Sequence, residues 1–420
     1  MSPFASPARR RRLSLVGLGL ALALLAACSA GPAPEPPPSP VGSVETSTEE
    51  PTAIPSDPVP SVTVPPEVSQ CRSIVEHLPL ELQVGQLLML GVPTNSGVGE
   101  DLFEVMRSTN TGSILLLGNY TGGVSGVREL TDQVRESSGV PLPLAVAADQ
   151  EGGQVQRLRG SGFDRIPSAA EQAELDPDEL RAEAETWATQ LKDAGVDWNL
   201  APVGDVVPQD KMTTNEPIGR LDRGYGSDPA AVAVQVEAFI EGMDAAGMGT
   251  SVKHFPGLGE VEGNTDLSAD VRDEVTGPDS PSLTIFQQAI AAGADMVMIS
   301  SATYTRIDPD HPGVYSPALI EQLLREQLGY GGLVISDDLG EAEAAAQLPS
   351  GEAVPAGERA VLFIQAGGDL VINANPALQQ EMADALLAKA EADPAFRERI
   401  TESASRVLGA KAARGLMLCQ

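Results

Sequence analysis

The chain has 420 residues, with 59 acidic against 27 basic side chains and a formal net charge of −32. That balance excludes a nucleic-acid binder, whose phosphates need a basic partner. The only three histidines, His77, His254 and His311, lack ligand-spaced partners, so neither a metal nor another cofactor is expected.

At the front, Arg9 to Arg12 precede an apolar stretch from Leu13 to Ala27. This stretch is too short for a comfortable membrane span and reads as an export leader. It ends in Leu25-Ala26-Ala27-Cys28, which resembles a bacterial lipobox. The resemblance implies a signal peptide over residues 1–28 and a lipid on Cys28, anchoring the exported protein to the outer face of the bacterial cytoplasmic membrane. An ordinary signal peptide with a chance cysteine is the alternative, and both the Sec and Tat routes stay open. Residues 29–70 are dominated by Pro, Ser, Thr, Val and Glu. Such a segment cannot bury enough apolar surface to offset its ordering entropy, which predicts a disordered tether. Beyond Cys28 only Cys71 and Cys419 remain, one at each edge of the globular part. Outside the cytoplasm such a pair is often oxidised, and domain termini often lie close together, so a Cys71–Cys419 disulfide is expected.

Residues 71–420 read as one domain. Eight apolar runs have strand length: Gln86 to Val92, Ser113 to Leu117, Leu144 to Ala148, Val196 to Leu200, Gly249 to Lys253, Met296 to Ile299, Leu333 to Ser336 and Leu370 to Asn373. Helical patterns lie between them, among them Gly126 to Ser137, Glu179 to Ala194, Pro229 to Ala246 and Ser316 to Gln327. Short Val-, Ile- and Leu-rich runs alternating with helices predict a parallel sheet, and eight such units close an α/β (β/α)8 TIM-type barrel. A doubly wound open sheet is the alternative, but no G-x-G-x-x-G fingerprint follows any run.

Polar residues gather at the C-terminal ends of these runs, where parallel α/β folds bind ligands. Asp149-Gln150-Glu151-Gly152-Gly153 and Gln156-Arg157 follow the third run, and Asp205 follows the fourth. Lys253-His254 ends the fifth and Asp337-Asp338 the seventh. Each charged residue alone reads as a helix cap or a rim salt bridge. Several on one rim predict a site, and carboxylates mixed with Lys, Arg and His suit a neutral polyol. A serine hydrolase finds no support, because no G-x-S-x-G elbow is present. Schiff-base chemistry at Lys253 has no specific support from its neighbours.

The ordered series Gly85-Gln86-Leu87-Leu88, Asp149 to Gly153, Asp197 to Val203, Lys253-His254-Phe255-Pro256-Gly257 and Ser336-Asp337-Asp338-Leu339 resembles the N-terminal barrel of glycoside hydrolase family 3. It is most similar to single-domain bacterial β-N-acetylglucosaminidase lipoproteins of that family. The resemblance implies a retaining exo-β-N-acetylhexosaminidase acting on terminal β-N-acetylglucosaminides, with cell-wall muropeptide fragments as substrate. It makes Asp337 the nucleophile, forming a covalent glycosyl-enzyme, and Asp338 a cap or orienting residue. It makes Asp149, Arg157, Arg223, Lys253 and His254 sugar-binding residues. In the family, Lys-His-Phe-Pro-Gly runs on to a mobile loop carrying Asp-Ser-His, whose histidine is the acid/base. This chain has Asn264-Thr265-Asp266 instead. Asp266 in the histidine's slot becomes the expected acid/base, with its pKa raised by burial near Asp337, ahead of Glu262 and Glu260. Gly257, Gly259 and Gly263 predict a loop that closes over bound sugar. Another family 3 β-glycosidase or phosphorylase, or a sugar-binding lipoprotein with impaired catalysis, remains the alternative. A carboxylate facing the acceptor favours water over phosphate.

Overall fold

The computed structural model describes residues 62–95 and 97–419. The expected leader, Cys28 and the tether up to residue 61 lie outside the described residues. The folded domain begins ahead of residue 71, because Pro66–Val75 is already helical, with proline at its first position.

Eight strands form a closed barrel. They are β1 (Leu88–Pro93), β2 (Ser113–Leu117), β3 (Ala145–Ala148), β4 (Trp198–Asn199), β5 (Gly249–Phe255), β6 (Met296–Ile299), β7 (Leu333–Asp338) and β8 (Leu370–Asn373). Every neighbouring pair is parallel, and β1 closes on β8 through Leu88↔Val371. The expected runs become these strands with small changes at the ends. Gln86 belongs to the helix Leu80–Gln86, so β1 starts at Leu88. β4 shrinks to two residues because Leu200 leads directly into Ala201-Pro202, and proline cannot donate to a ladder.

A strand's side chains alternate between faces, and the barrel turns that alternation into two cores. Met89, Leu115, Ala147, Trp198, Met298, Ile335 and Ile372 pack inside the barrel. Leu88, Leu90, Ile114, Val146, Val297 and Val334 point outward to the helical layer. Three long helices, Pro177–Asp193, Pro229–Ala245 and Pro394–Ala413, start in the same way. Asp176, Asp228 and Asp393 accept the backbone N–H two residues on, and a proline follows each. Such a cap contributes about 1 kcal/mol, and proline loses nothing at a position whose N–H has no helical partner.

Helix Pro394–Ala413 closes the barrel floor, packing Val407 and Ala410 against the inner layer. Cys71 and Cys419 are joined there by a disulfide, with Cα atoms 4.8 Å apart. Thr63 bridges to Tyr330 just before β7, so the first described residues also lie at the strands' N-terminal end.

Candidate active site

The same alternation that fills the barrel delivers its mouth residues. Leu333 and Ile335 face inward, and past a register shift between Ile335 and Asp338 the Asp337 side chain also reaches the mouth; Ala145 and Ala147 face inward below Asp149. Ser251 and Lys253 continue the inward face of β5. All three charged tips line a cavity of about 530 Å³ at the C-terminal end of the strands, floored by Leu115, Leu200, Met298 and Ile372.

One wall is an ion network. Lys253 Nζ lies 2.6 Å from Asp149 Oδ1 and 2.6 Å from Glu151 Oε1. Arg223 grips the same Glu151 with two parallel bonds, Nε–Oε2 at 2.9 Å and Nη2–Oε1 at 2.8 Å. Glu151 sits in a hairpin formed by Gln150–Gly152 and Val155–Gln156. Burial pushes its carboxyl up, but Arg223 and Lys253 outweigh this and hold it well below the usual carboxylate range. Lys253 is itself pushed down by burial and lifted above its ordinary value by Asp149 and Glu151. The wall is therefore held ionised and rigid, ready to donate to hydroxyls and accept from them. Arg157 lines the same cavity, and its guanidinium has no hydrogen-bond or ion-pair partner among the described residues.

At the end of β5 the buried His254 is held by Asp205, whose Oδ2 lies 2.8 Å from His254 Nδ1. Asp205 Oδ1 accepts from the Leu258 backbone N–H at 2.7 Å and the His254 N–H at 3.2 Å. One buried carboxylate thus fixes both the imidazole and the turn that follows it.

Asp337 faces this group. Burial pushes its pKa up to about 6; His254 pulls it down, and Asp266 opposes that pull. Asp338 points elsewhere. Its oxygens accept from the N–H groups of Gly340, Glu341 and Ala374 at 2.8, 3.1 and 2.9 Å. It caps the turn after β7, which leaves Asp337 as the tip carboxylate available to a ligand.

Asp266 lines the cavity from the 257–266 loop. It is exposed, so the burial expected to act on it is absent. No protein group donates to its carboxylate among the described residues. The other loop acids are elsewhere. Glu260 is paired with Lys211 at 2.7 Å, and both it and Glu262 line a separate surface depression. Glu341, just past β7, also lines the cavity at the strand tips.

A blind cavity at the strand tips, with one recessed carboxylate and a second facing it from a loop, fits a sugar-cleaving barrel. Residues 79–410 match the Glycosyl hydrolase family 3 N terminal domain. The chain belongs to glycosyl hydrolase family 3. A beta-hexosaminidase of Stenotrophomonas maltophilia (strain R551-3) is 34% identical over 311 residues, covering 71% of this chain and 87% of the relative. The crystal structure of the beta-N-acetylhexosaminidase from Beutenbergia cavernae DSM 12333 superposes with a TM-score of 0.76 at 41% identity. It covers 80% of this chain and 99% of its own. A family 3 beta-N-acetylglucosaminidase from Paenibacillus sp. str. FPU-7 follows at 29% identity and a TM-score of 0.70, over 81% of this chain and 63% of that one.

As a member of this family the chain is a glycoside hydrolase, and its barrel is the one expected. All seven residues expected to act on or bind sugar lie around the one cavity: Asp149, Arg157, Arg223, Lys253, His254, Asp266 and Asp337. Glu151, Asp205 and Glu341 received no role from the sequence. The first two stood in motifs already noticed, but their partners lie 49 to 102 residues away in the chain, and no local spacing reveals that.

Proposed function

We propose that this protein is a retaining exo-β-N-acetylhexosaminidase that removes terminal β-N-acetylglucosamine, with Asp337 as nucleophile and Asp266 as acid/base. The observation that carries the reading is the recessed Asp337 facing a loop carboxylate across a cavity whose opposite wall is the Asp149–Lys253–Glu151–Arg223 network. In the first step an Asp337 oxygen bonds to the anomeric carbon, the glycosidic C–O bond breaks, and the Asp266 proton goes to the departing oxygen. In the second, Asp266 takes a proton from water, the water oxygen bonds to the anomeric carbon, and the bond to Asp337 breaks. Two inversions return the β anomer. The network wall and Arg157 bind the ring hydroxyls, while Lys253 and His254 flank Asp337 from β5.

The acceptor side carries Asp266 and Glu341, which repel an anion. Water is therefore the acceptor, and added phosphate should not increase turnover. Cell-wall muropeptide fragments are the proposed substrate, reached from the outer face of the cytoplasmic membrane by a protein lipidated at Cys28. Membrane partitioning that is lost in Cys28→Ala supports the anchor; an unlipidated native protein refutes it.

The roles are tested separately. A 2-deoxy-2-fluoro or related mechanism-based glycoside should label the peptide containing Asp337, and label on Asp338 refutes the assignment. With Asp266→Ala, kcat/KM for a natural disaccharide should fall by about 10²–10⁴-fold. For a 2,4-dinitrophenyl glycoside, whose leaving group departs without a proton, it should barely change. Azide should rescue deglycosylation and give the β-glycosyl azide. If Glu341→Gln shows this pattern and Asp266→Ala does not, Glu341 is the acid.

A further inference from the structure

We infer that Asn215 is a positioning residue for the acid/base. It fixes the root of the Asp266 loop, so that the carboxylate stands over the cavity before sugar arrives. The inference rests on the role of Asp266 proposed above.

Asn215 is fully buried, and both ends of its amide are used. The Nδ2 group donates toward the carbonyls of Leu258, Val261 and Gly259 at 2.7, 2.8 and 3.2 Å. The Oδ1 atom accepts from the backbone N–H groups of Ile218 and Gly219 at 3.0 and 2.8 Å. One side chain therefore ties the segment leading to Arg223, on the sugar wall, to the segment leading to Asp266. The Glu216 N–H adds a bond to the Glu262 carbonyl at 3.0 Å.

The far end of the loop is held as well. The Ala344 N–H donates to the Thr265 carbonyl at 3.0 Å, and the Glu343 N–H to the Asp266 carbonyl at 3.4 Å. That short turn, Glu343–Ala346, is in turn held by the Tyr315 hydroxyl on the Ala345 carbonyl at 2.7 Å. Between the two anchors, Leu258 and Val261 are buried. A Cβ on Gly259 would stand 1.6 Å from the Val206 carbonyl oxygen. At 259, glycine serves close packing and not a hinge.

Catalysis gains from this arrangement because a general acid must come within about 2.6–3.2 Å of the oxygen it protonates. Releasing one anchor displaces the acid without removing it. A shift of about 1 Å costs on the order of 10²-fold in rate.

The test is a double-mutant cycle on Asn215→Ala and Asp266→Ala, read as kcat/KM with a β-N-acetylglucosaminyl disaccharide and with the 2,4-dinitrophenyl glycoside. Asn215→Ala should lose about 10–10²-fold on the disaccharide and far less on the activated substrate. In the Asp266→Ala background it should add little to the disaccharide loss, since its effect passes through Asp266. A merely structural Asn215 lowers both substrates alike and adds in full to Asp266→Ala; that result overturns the inference and leaves Asp266 in place. Equal loss on both substrates in Asp266→Ala overturns both. Should Asn215→Ala not fold, hydrogen exchange of the wild type decides. Amides 257–268 should be as protected in the free enzyme as when saturated with N-acetylglucosamine. Protection that arises only with the sugar overturns the inference.

Discussion

At Asp337 the forces that recess the nucleophile also set its working range. Its carboxyl titrates near 6 instead of its ordinary 3.8. Only the carboxylate attacks, so kcat/KM should fall below an acid limb near pH 6 in the free enzyme. His254→Ala removes the group that pulls Asp337 down and should move that limb to higher pH. A limb that stays in place shows that the titration belongs to another group. The linked stability effect has a definite sign. Between about pH 4 and 6 the native state keeps a proton that the unfolded chain releases. Stability from this site therefore falls as pH rises through that window, and Asp337→Asn should flatten that part of the pH–stability curve. Asp337, Lys253 and Asp149 were legible because each lies two residues beyond an inward apolar or small side chain on its own strand. Asn215 was not, since its worth lies in carbonyls more than 40 residues away.

Among the elements, helix Pro394–Ala413 does more than cover the floor. Lys411, fully buried, bonds through Nζ to Gln86 Oε1 at 2.5 Å and to the carbonyls of Gly112 and Pro143 at 2.7 and 2.9 Å. Burial pushes its pKa down to about 7, against an ordinary 10.5, with Asp197 pulling weakly back. In that interval the unfolded chain holds a proton that the native state has released, so stability rises with pH across it. Lys411→Met removes the slope. It also strands Gln86 Oε1 and the Pro143 carbonyl, whereas the Gly112 carbonyl keeps the Ala145 N–H. Met also spares folding the cost of stripping the lysine of its proton, which offsets part of that loss and leaves a net cost of about 1–3 kcal/mol near pH 8, measurable by urea unfolding. The strands could be read almost to the residue because a buried parallel strand is a continuous apolar run. This helix was not singled out, since its buried face runs through Ser403, Ala404, Ser405 and Gly409, with little apolar contrast. Asp393-Pro394, a good start signal, was there to be used.

For the whole molecule the disulfide is the long constraint, joining residues 348 apart. In the chain-entropy model a loop of that size limits the unfolded state by roughly 5–6 kcal/mol, an upper figure because residual structure in the unfolded chain reduces it. The Cys71→Ser/Cys419→Ser pair should fold and turn over substrate normally, and unfold at a clearly lower guanidinium concentration. An unchanged midpoint would show that residual structure already holds the ends together. The strand–strand pairing and the helical layer do not depend on this bond, so lost activity in the double variant would point to misfolding and not to chemistry.

The Thr63–Tyr330 bridge marks the pole opposite the cavity. Thr63 joins the barrel before β7 begins, and Asp337 stands where β7 ends, so the chain enters at one pole and the cavity opens at the other. Substrate at the mouth and contacts made where Thr63 joins the barrel therefore lie on opposite faces and do not compete.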